Sequence, residues 1–263
     1  MDRSISNVQW CHYDEQGYVN LGRIVSDDDV RALRQRIDEI MLGRARLDYD
    51  RMLMQEDSRD GVYGHTGPPS RGHKGSHLNY RKIEQLEFDP LFLRYMQRAV
   101  FEEACERVYG AGTPIRLMRA MFMNKPAKGG TFLPWHQDIW TRFDRHPLLT
   151  VWLALDPSNR QSGGVRIIPG SHKRGHINPG HSSGFLTPEM DEQHCPEKDA
   201  LFLEMEPGEV ALLHNYLLHS SDTNHSAAPR RAFSACYMDG RTVDERGTTY
   251  SLVFSEGAIV PDE

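Results

Sequence analysis

The sequence predicts a mainly β fold with flanking α-helices: a distorted jelly-roll barrel, the double-stranded β-helix, with N-terminal helices packed on one sheet. Three observations predict it. Helical apolar spacing is confined to the first 110 residues, short β-like runs separated by Gly, Pro, Asn and Ser clusters begin at Ile115, and no internal repeat is visible. Helices first and strands afterwards do not suit an alternating parallel sheet. The 263 residues fit one domain, 1–263, because barrels of this kind use roughly 200 to 250 residues as one unit.

The first element is a helix over 26–43, with Val30, Leu33, Ile37 and Ile40 or Met41 on one stripe, Ser26 and Asp29 as a capping-box pair and Gly43 as the stop. Residues 44–82 are polar, glycine-bearing and too long for an ordinary connection, which makes them a candidate substrate lid. Within this stretch Arg71, Lys74, Arg81 and Lys82 carry positive charge without an acid among them. Such a loop could close over an anionic substrate, although a solvated surface loop is the favoured reading. Asp89 and Pro90 open a second helical region that runs to Gly110 and breaks once inside. Strands follow in IRLMRAMFM, LLTVWLALD, VRIIPGS, EVALLHNYLLHSS, RRAFSACYM and TTYSLVF.

Composition narrows the function. With 31 basic and 37 acidic residues, a net charge of −6 and no basic stripe, the chain is not expected to bind nucleic acid. No apolar run approaches a membrane span and the amino terminus lacks a secretion-signal profile, so a cytoplasmic protein is expected, with no membrane partner. A mean hydropathy of −0.60 implies long polar loops. The four cysteines form no C-x-x-C pair and read as reduced thiols.

The sharpest local feature is Trp135-His136-Gln137-Asp138. In an extended strand, residues two apart face the same way, so His136 and Asp138 are placed to grip one ion. Two histidines and one carboxylate leave three adjacent positions open, the arrangement of non-heme Fe(II) oxygenases, so a third ligand is needed downstream. His214 and His219 are the candidates, five apart and so oppositely facing in a regular strand; Asn215 and Tyr216 can interrupt that strand, so parity alone does not choose. A polar turn after His219 and Arg230 eleven residues on favour His219. That spacing is a hairpin's length, and it would place a guanidinium fork on the next strand to clamp a carboxylate.

These motifs, in this order, resemble the phytanoyl-CoA dioxygenase family of Fe(II)/2-oxoglutarate-dependent oxygenases, which includes ectoine hydroxylases. YDEQGYVNLGRIVSDDDVRALRQRID looks like the family's opening strand and helix, and RKIEQLEFDPLF like its middle. FLPWHQDIW resembles its metal motif, GGVRIIPGSHKRGH its glycine turn, and LLHSSDTNHSAAPRRAFSACY its distal histidine and arginine block. The resemblance implies that His136, Asp138 and His219 hold Fe(II) and that Arg230 binds the distal carboxylate of 2-oxoglutarate, with Ser221 adding a hydroxyl. Trp152 would line the co-substrate pocket or serve as a core aromatic, and Lys125 would stand near the pocket or be solvated at a strand end. His172 and His176 would brace a turn, while Arg119 and Met121 alternate on the strand before the metal motif and could face the pocket.

The implied activity is O2-dependent hydroxylation of an unactivated C–H bond in a small, possibly anionic, metabolite, coupled to decarboxylation of 2-oxoglutarate to succinate. Retention of Asp138 argues against halogenation, because halogenating relatives replace that carboxylate by a small residue. A cupin-like metal protein that binds or isomerises a small acid without oxidation is the alternative reading.

Overall fold

The chain divides its strands between two sheets that face one another across a cavity. The computed structural model describes residues 4–261; residues 1–3 and 262–263 at the ends of the expected 1–263 domain lie outside the described residues. The amino-terminal part runs α1 (Asn7–Gln16), β1 (Tyr18–Arg23), α2 (Asp27–Met41), β2 (Leu53–Glu56), β3 (Ser70–Arg71), β4 (Tyr80–Glu84), α3 (Pro90–Met96) and α4 (Ala99–Tyr109). The middle holds β5 (Ile115–Lys125), β6 (Leu133–His136), β7 (Leu149–Ala154), β8 (Val165–Ile167) and α5 (Pro188–His194). The chain closes with β9 (Leu201–Phe202), β10 (Glu209–His214), β11 (His219–Ser221), β12 (Arg230–Asp239) and β13 (Leu252–Phe254).

Helix α2 forms where its apolar stripe predicts. Ser26 Oγ accepts from the Asp29 amide at 3.1 Å, and Val30, Leu33, Ile37, Ile40 and Met41 are buried. The expected box is only half made, because the Asp29 carboxylate pairs with Arg98 Nη2 at 2.8 Å and ties α2 to the start of α4. Helix α1 was not expected: its apolar residues do not fall on one stripe. Its signal is the start, where Ser6 and Gln9 form a complete capping box. The helical region after Asp89 divides once, into α3 and α4. Segment 44–82 is not a single loop, since β2, β3 and β4 within it add three strands to the edge of the larger sheet.

Among the described residues the larger sheet has nine strands in the order β1-β10-β7-β12-β5-β4-β2-β3, with β13 also on β5, and the smaller has the order β6-β11-β8-β9. The jelly-roll expectation therefore holds as two facing sheets, and the described strands form no closed barrel. Period-two alternation assigns each face. On β7, Val151 and Leu153 join the core against the helices, while Trp152 and Ala154 pack inward with Val165 and Ile167 of the smaller sheet. On β12, Phe233, Ala235 and Tyr237 face the helices. Opposite it on β5, Met118 is an extra residue, since Cys236 pairs with Arg119 and Tyr237 with Leu117. This bulge lets Ile115, Leu117, Ala120 and Phe122 all reach the helix-side core.

Charged groups bind the helix layer to the sheet. Arg231 donates to both oxygens of Asp156 and to Asp38 on α2, and Arg34 reaches Asp156 at 3.0 Å. Arg231 is thus committed outward, and its neighbour Arg230 faces the cavity. No helix among the described residues is long and apolar enough to cross a membrane.

Glu87, in the turn before α3, is 9% exposed, and its Oε2 has no partner. Burial pushes its carboxyl up from 4.5 to about 7. The folded chain therefore binds more protons than the unfolded one between those values, and stability falls as pH rises through that window, by on the order of 2–3 kcal/mol. Urea unfolding is expected to show Glu87→Gln more stable than wild type at pH 8 and equal to it near pH 4.5. The same difference at both pH values would contradict this.

Candidate active site

His136 and His219 are register partners in the antiparallel pairing of β6 with β11, so their imidazoles project side by side, with ring centroids 4.0 Å apart. Strand β6 ends at His136, and Asp138 lies beyond it, not in an extended strand as the H-x-D spacing suggested. Its place is fixed by the backbone instead: the Asp138 amide donates to Asn215 O at 2.9 Å, and Asn215 Nδ2 donates to Asp138 O at 3.2 Å. His136, Asp138 and His219 each offer one ligand atom, and these atoms all lie within 4.8 Å of one another.

The choice between His214 and His219 follows from topology. The apolar run 209–221 is two strands in two sheets: β10 carries His214 beside β7, and β11 carries His219 beside β6 and β8. His214 lies tilted against His172 with ring centroids 5.1 Å apart, and His172 Nε2 donates to Asp14 O at 3.2 Å, consistent with the bracing expected of His172. The hairpin expected between His219 and Arg230 does not form. Strand β12 pairs with β5 and β7, so residues 222–229 cross from one sheet to the other and Arg230 approaches the site from the opposite wall.

His136, Asp138 and His219, together with Arg230, Ser221, Trp152 and Lys125, all line one cavity of about 280 Å³ between the sheets. Arg230 is 3% exposed; its Nη2 donates to Gly163 O at 2.8 Å, its Nε has no partner, and no carboxylate pairs with it among the described residues. Burial without a counter-ion pushes its guanidinium down to about 10. Gly163 has φ +69°, and a Cβ there would stand 2.5 Å from Asp222 O, so the glycine turn lets its carbonyl meet the arginine. Lys125 is the register partner of Arg230; it is buried, not solvated, and donates to Thr131 O at 2.6 Å. Trp152 is 3% exposed and both lines the cavity and packs with Val165 and Leu213.

Electrostatics suit the donor set to a cation. Each histidine Nδ1–H is spent on a backbone carbonyl, His136 on Pro134 O at 2.8 Å and His219 on Leu217 O at 3.0 Å, which leaves both Nε2 lone pairs free. Burial, with His219 adding to it, pushes His136 down to about 3, so it is neutral. Burial alone would raise Asp138, but Arg119 and the two histidines hold it at about 2. Arg119 Nη2 donates to Asp138 Oδ1 at 3.2 Å, while Oδ2 lies 3.8 Å from His219 Nε2.

Gln137 and Asn215 were not singled out from the sequence. Gln137 is fully buried, donates to Gly175 O and Tyr216 O, and accepts from the Ile177 amide, so it ties the metal motif to two loops. Its signal was a polar residue in the middle of H-x-D. Phe185 stacks on His136 with centroids 4.6 Å apart, and Tyr63 from segment 44–82 rests on Phe185 at 5.1 Å. Of the four cations noted in that segment, Arg81 and Lys82 line the cavity, whereas Arg71 and Lys74 bond backbone carbonyls elsewhere.

The chain is similar to known proteins in sequence and in fold. A family model described as phytanoyl-CoA dioxygenase matches residues 13–232. The phytanoyl-CoA dioxygenase of Arabidopsis thaliana is 22% identical over 249 residues, covering 88% of each chain. The peroxisomal enzyme of Rattus norvegicus is 25% identical over 266 residues, covering 96% of this chain and 74% of its own. In structure, EctD from S. alaskensis superposes with a TM-score of 0.68 at 20% identity over 92% of this chain and 80% of that one. The carbocyclase SnoK of nogalamycin biosynthesis superposes with a TM-score of 0.65 at 18% identity over 94% and 89%. Those two likenesses speak for the fold alone; the family model, spanning most of the chain, shows that it belongs to the phytanoyl-CoA dioxygenase family.

Proposed function

We propose that the protein is an Fe(II)/2-oxoglutarate-dependent oxygenase that hydroxylates an unactivated C–H bond of a small anionic metabolite. The observation that carries this reading is the pairing, in one cavity, of a His, His, carboxylate donor set with a buried arginine that makes no ion pair among the described residues. His136, Asp138 and His219 would hold Fe(II), and their donors fit it: two free Nε2 lone pairs and an ionised carboxylate. Bound Fe(II) with 2-oxoglutarate supplies O2 activation coupled to decarboxylation of the co-substrate to succinate.

The chain's own residues bind, orient and exclude water. Arg230, on the opposite wall from those three residues, would take the distal carboxylate of 2-oxoglutarate, with Lys125 beside it and the Ser221 hydroxyl lining the same cavity. Trp152 gives that pocket an apolar wall. Arg119 keeps one Asp138 oxygen occupied, so the other is the oxygen presented on the His219 side. Asp138 itself supports hydroxylation over halogenation. One oxygenase domain accounts for 1–263, and 44–82 is its lid, closing through Tyr63 over Phe185.

Asp138→Ala is expected to abolish Fe(II)-dependent succinate formation, and unchanged turnover in a metal-replete assay would sink the triad. Arg230→Ala should weaken 2-oxoglutarate binding about a hundredfold by calorimetry, because a charge-assisted bidentate pair is lost; undiminished affinity would remove Arg230 from that role. For the lid, limited proteolysis within 57–69 should slow once Mn(II) and 2-oxoglutarate are bound. Equal cleavage in both states would count against it.

A further inference from the structure

We infer that Arg81 is the residue that recognises an anionic group, a carboxylate or phosphonate, on the substrate to be oxidised. The inference rests on the oxygenase reading above and identifies the part of that cavity which selects the substrate.

Strand geometry singles out Arg81. In a regular strand Tyr80 and Lys82 would share one face, and Arg81 and Ile83 the other. Across β2, however, Gln55 pairs with Lys82 and Glu56 with Tyr80, so Arg81 is the extra residue of a β-bulge. The result is that Tyr80 and Ile83 both join the helix-side core, and the consecutive cations Arg81 and Lys82 both line the cavity. A bulge interrupts the ladder, and such interruptions beside active sites re-aim a side chain. Here the re-aimed side chain is a guanidinium.

Charge pairing then separates Arg81 from the other cavity cations. Lys82 is paired with Glu84 at 2.7 Å, and Arg119 with Asp138 at 3.2 Å. Lys125 and Arg230 are register partners at the end proposed for the co-substrate; Arg81 is within electrostatic reach of Lys125 but comes from β4, on the other side of β5 from Arg230. Arg81 has neutral partners only: it donates to Gln55 Oε1 at 2.8 Å and lies 5.2 Å over the Tyr63 ring. Asp57 and Glu84 are within electrostatic reach; Asp57 accepts from Thr131 and the Ser58 amide through Oδ1 while its buried Oδ2 has no partner, Glu84 is paired with Lys82, and no ion pair joins either carboxylate to Arg81 among the described residues. A partly buried guanidinium without a carboxylate carries a desolvation cost that an incoming oxyanion offsets. Its place beside Tyr63, which rests on the Phe185 that covers His136, puts that oxyanion at the mouth over the metal ligands.

The test uses the full chain loaded anaerobically with Mn(II) and saturating 2-oxoglutarate, titrated calorimetrically with sulfate in one arm and acetate in the other. Saturable binding of at least one anion is expected, weakened about tenfold or more in Arg81→Gln and partly restored in Arg81→Lys. Tighter sulfate assigns a tetrahedral group such as a phosphonate; tighter acetate assigns a carboxylate. No saturable binding to wild type, or equal binding to Arg81→Gln, overturns the inference. So does a loss of 2-oxoglutarate affinity in Arg81→Gln that matches the loss of anion affinity, since Arg81 would then serve the co-substrate. Failure of wild type to bind 2-oxoglutarate at all refutes the oxygenase reading instead.

Discussion

The site depends on one antiparallel register, β6 against β11 with His136 opposite His219. A slip of one residue in either strand would turn one imidazole away from the cavity, because side chains alternate at every step. The register is held from outside the strands. Gln137 ties the chain after His136 to the loops at Gly175 and Tyr216, and Asn215 clamps Asp138 by both its backbone amide and its carbonyl. Gly184 belongs to the same support: its φ is +72°, and any Cβ would lie 2.2 Å from Gln137 O. Polar groups buried this deeply are costly unless bonded, so the shell that satisfies them also fixes the ligands.

The second constraint is positive charge between two sheets. The smaller sheet contributes the donor set, and the larger contributes Arg119, Lys125 and Arg230. Burial and the neighbouring Arg230 and Arg81 push Lys125 well below its usual range, and burial also lowers Arg230. Arg119, paired with Asp138, is raised instead, so of these three the lowered cations are the two without an ion pair among the described residues. The facing arrangement explains why the two halves of the site lie on different walls: the chain between Ser221 and Arg230 crosses the gap, so eleven residues separate the distal ligand from the arginine without pairing their strands.

Much of this was legible in the sequence. The α-then-β order, the stripe of α2, the break between α3 and α4, and the order of H-x-D, distal histidine and arginine are local patterns, and all seven candidate side chains line one cavity. What was hidden depends on pairing between distant segments. The run 209–221 reads as a strand interrupted at Asn215 and Tyr216, but nothing local tells that the interruption carries the chain from one sheet to the other. The strands in 44–82 are short and edge-placed, with β3 only two residues long. The bulges at Arg81 and Met118 leave no mark in composition, since a bulge is defined by the partner strand. Gln137 was invisible for a simpler reason: its work is done entirely through backbone groups of other segments.

Strand β11, not β10, completes the donor set proposed to hold Fe(II). Anaerobic addition of Fe(II) and then 2-oxoglutarate, followed by visible absorption, tests it across wild type, His214→Ala and His219→Ala. The account predicts the weak charge-transfer band of the chelate in wild type and His214→Ala and its loss in His219→Ala. Absence of the band in wild type would favour a metal protein that binds a small acid without oxidising it, and a band kept in His219→Ala but lost in His214→Ala would contradict the account outright.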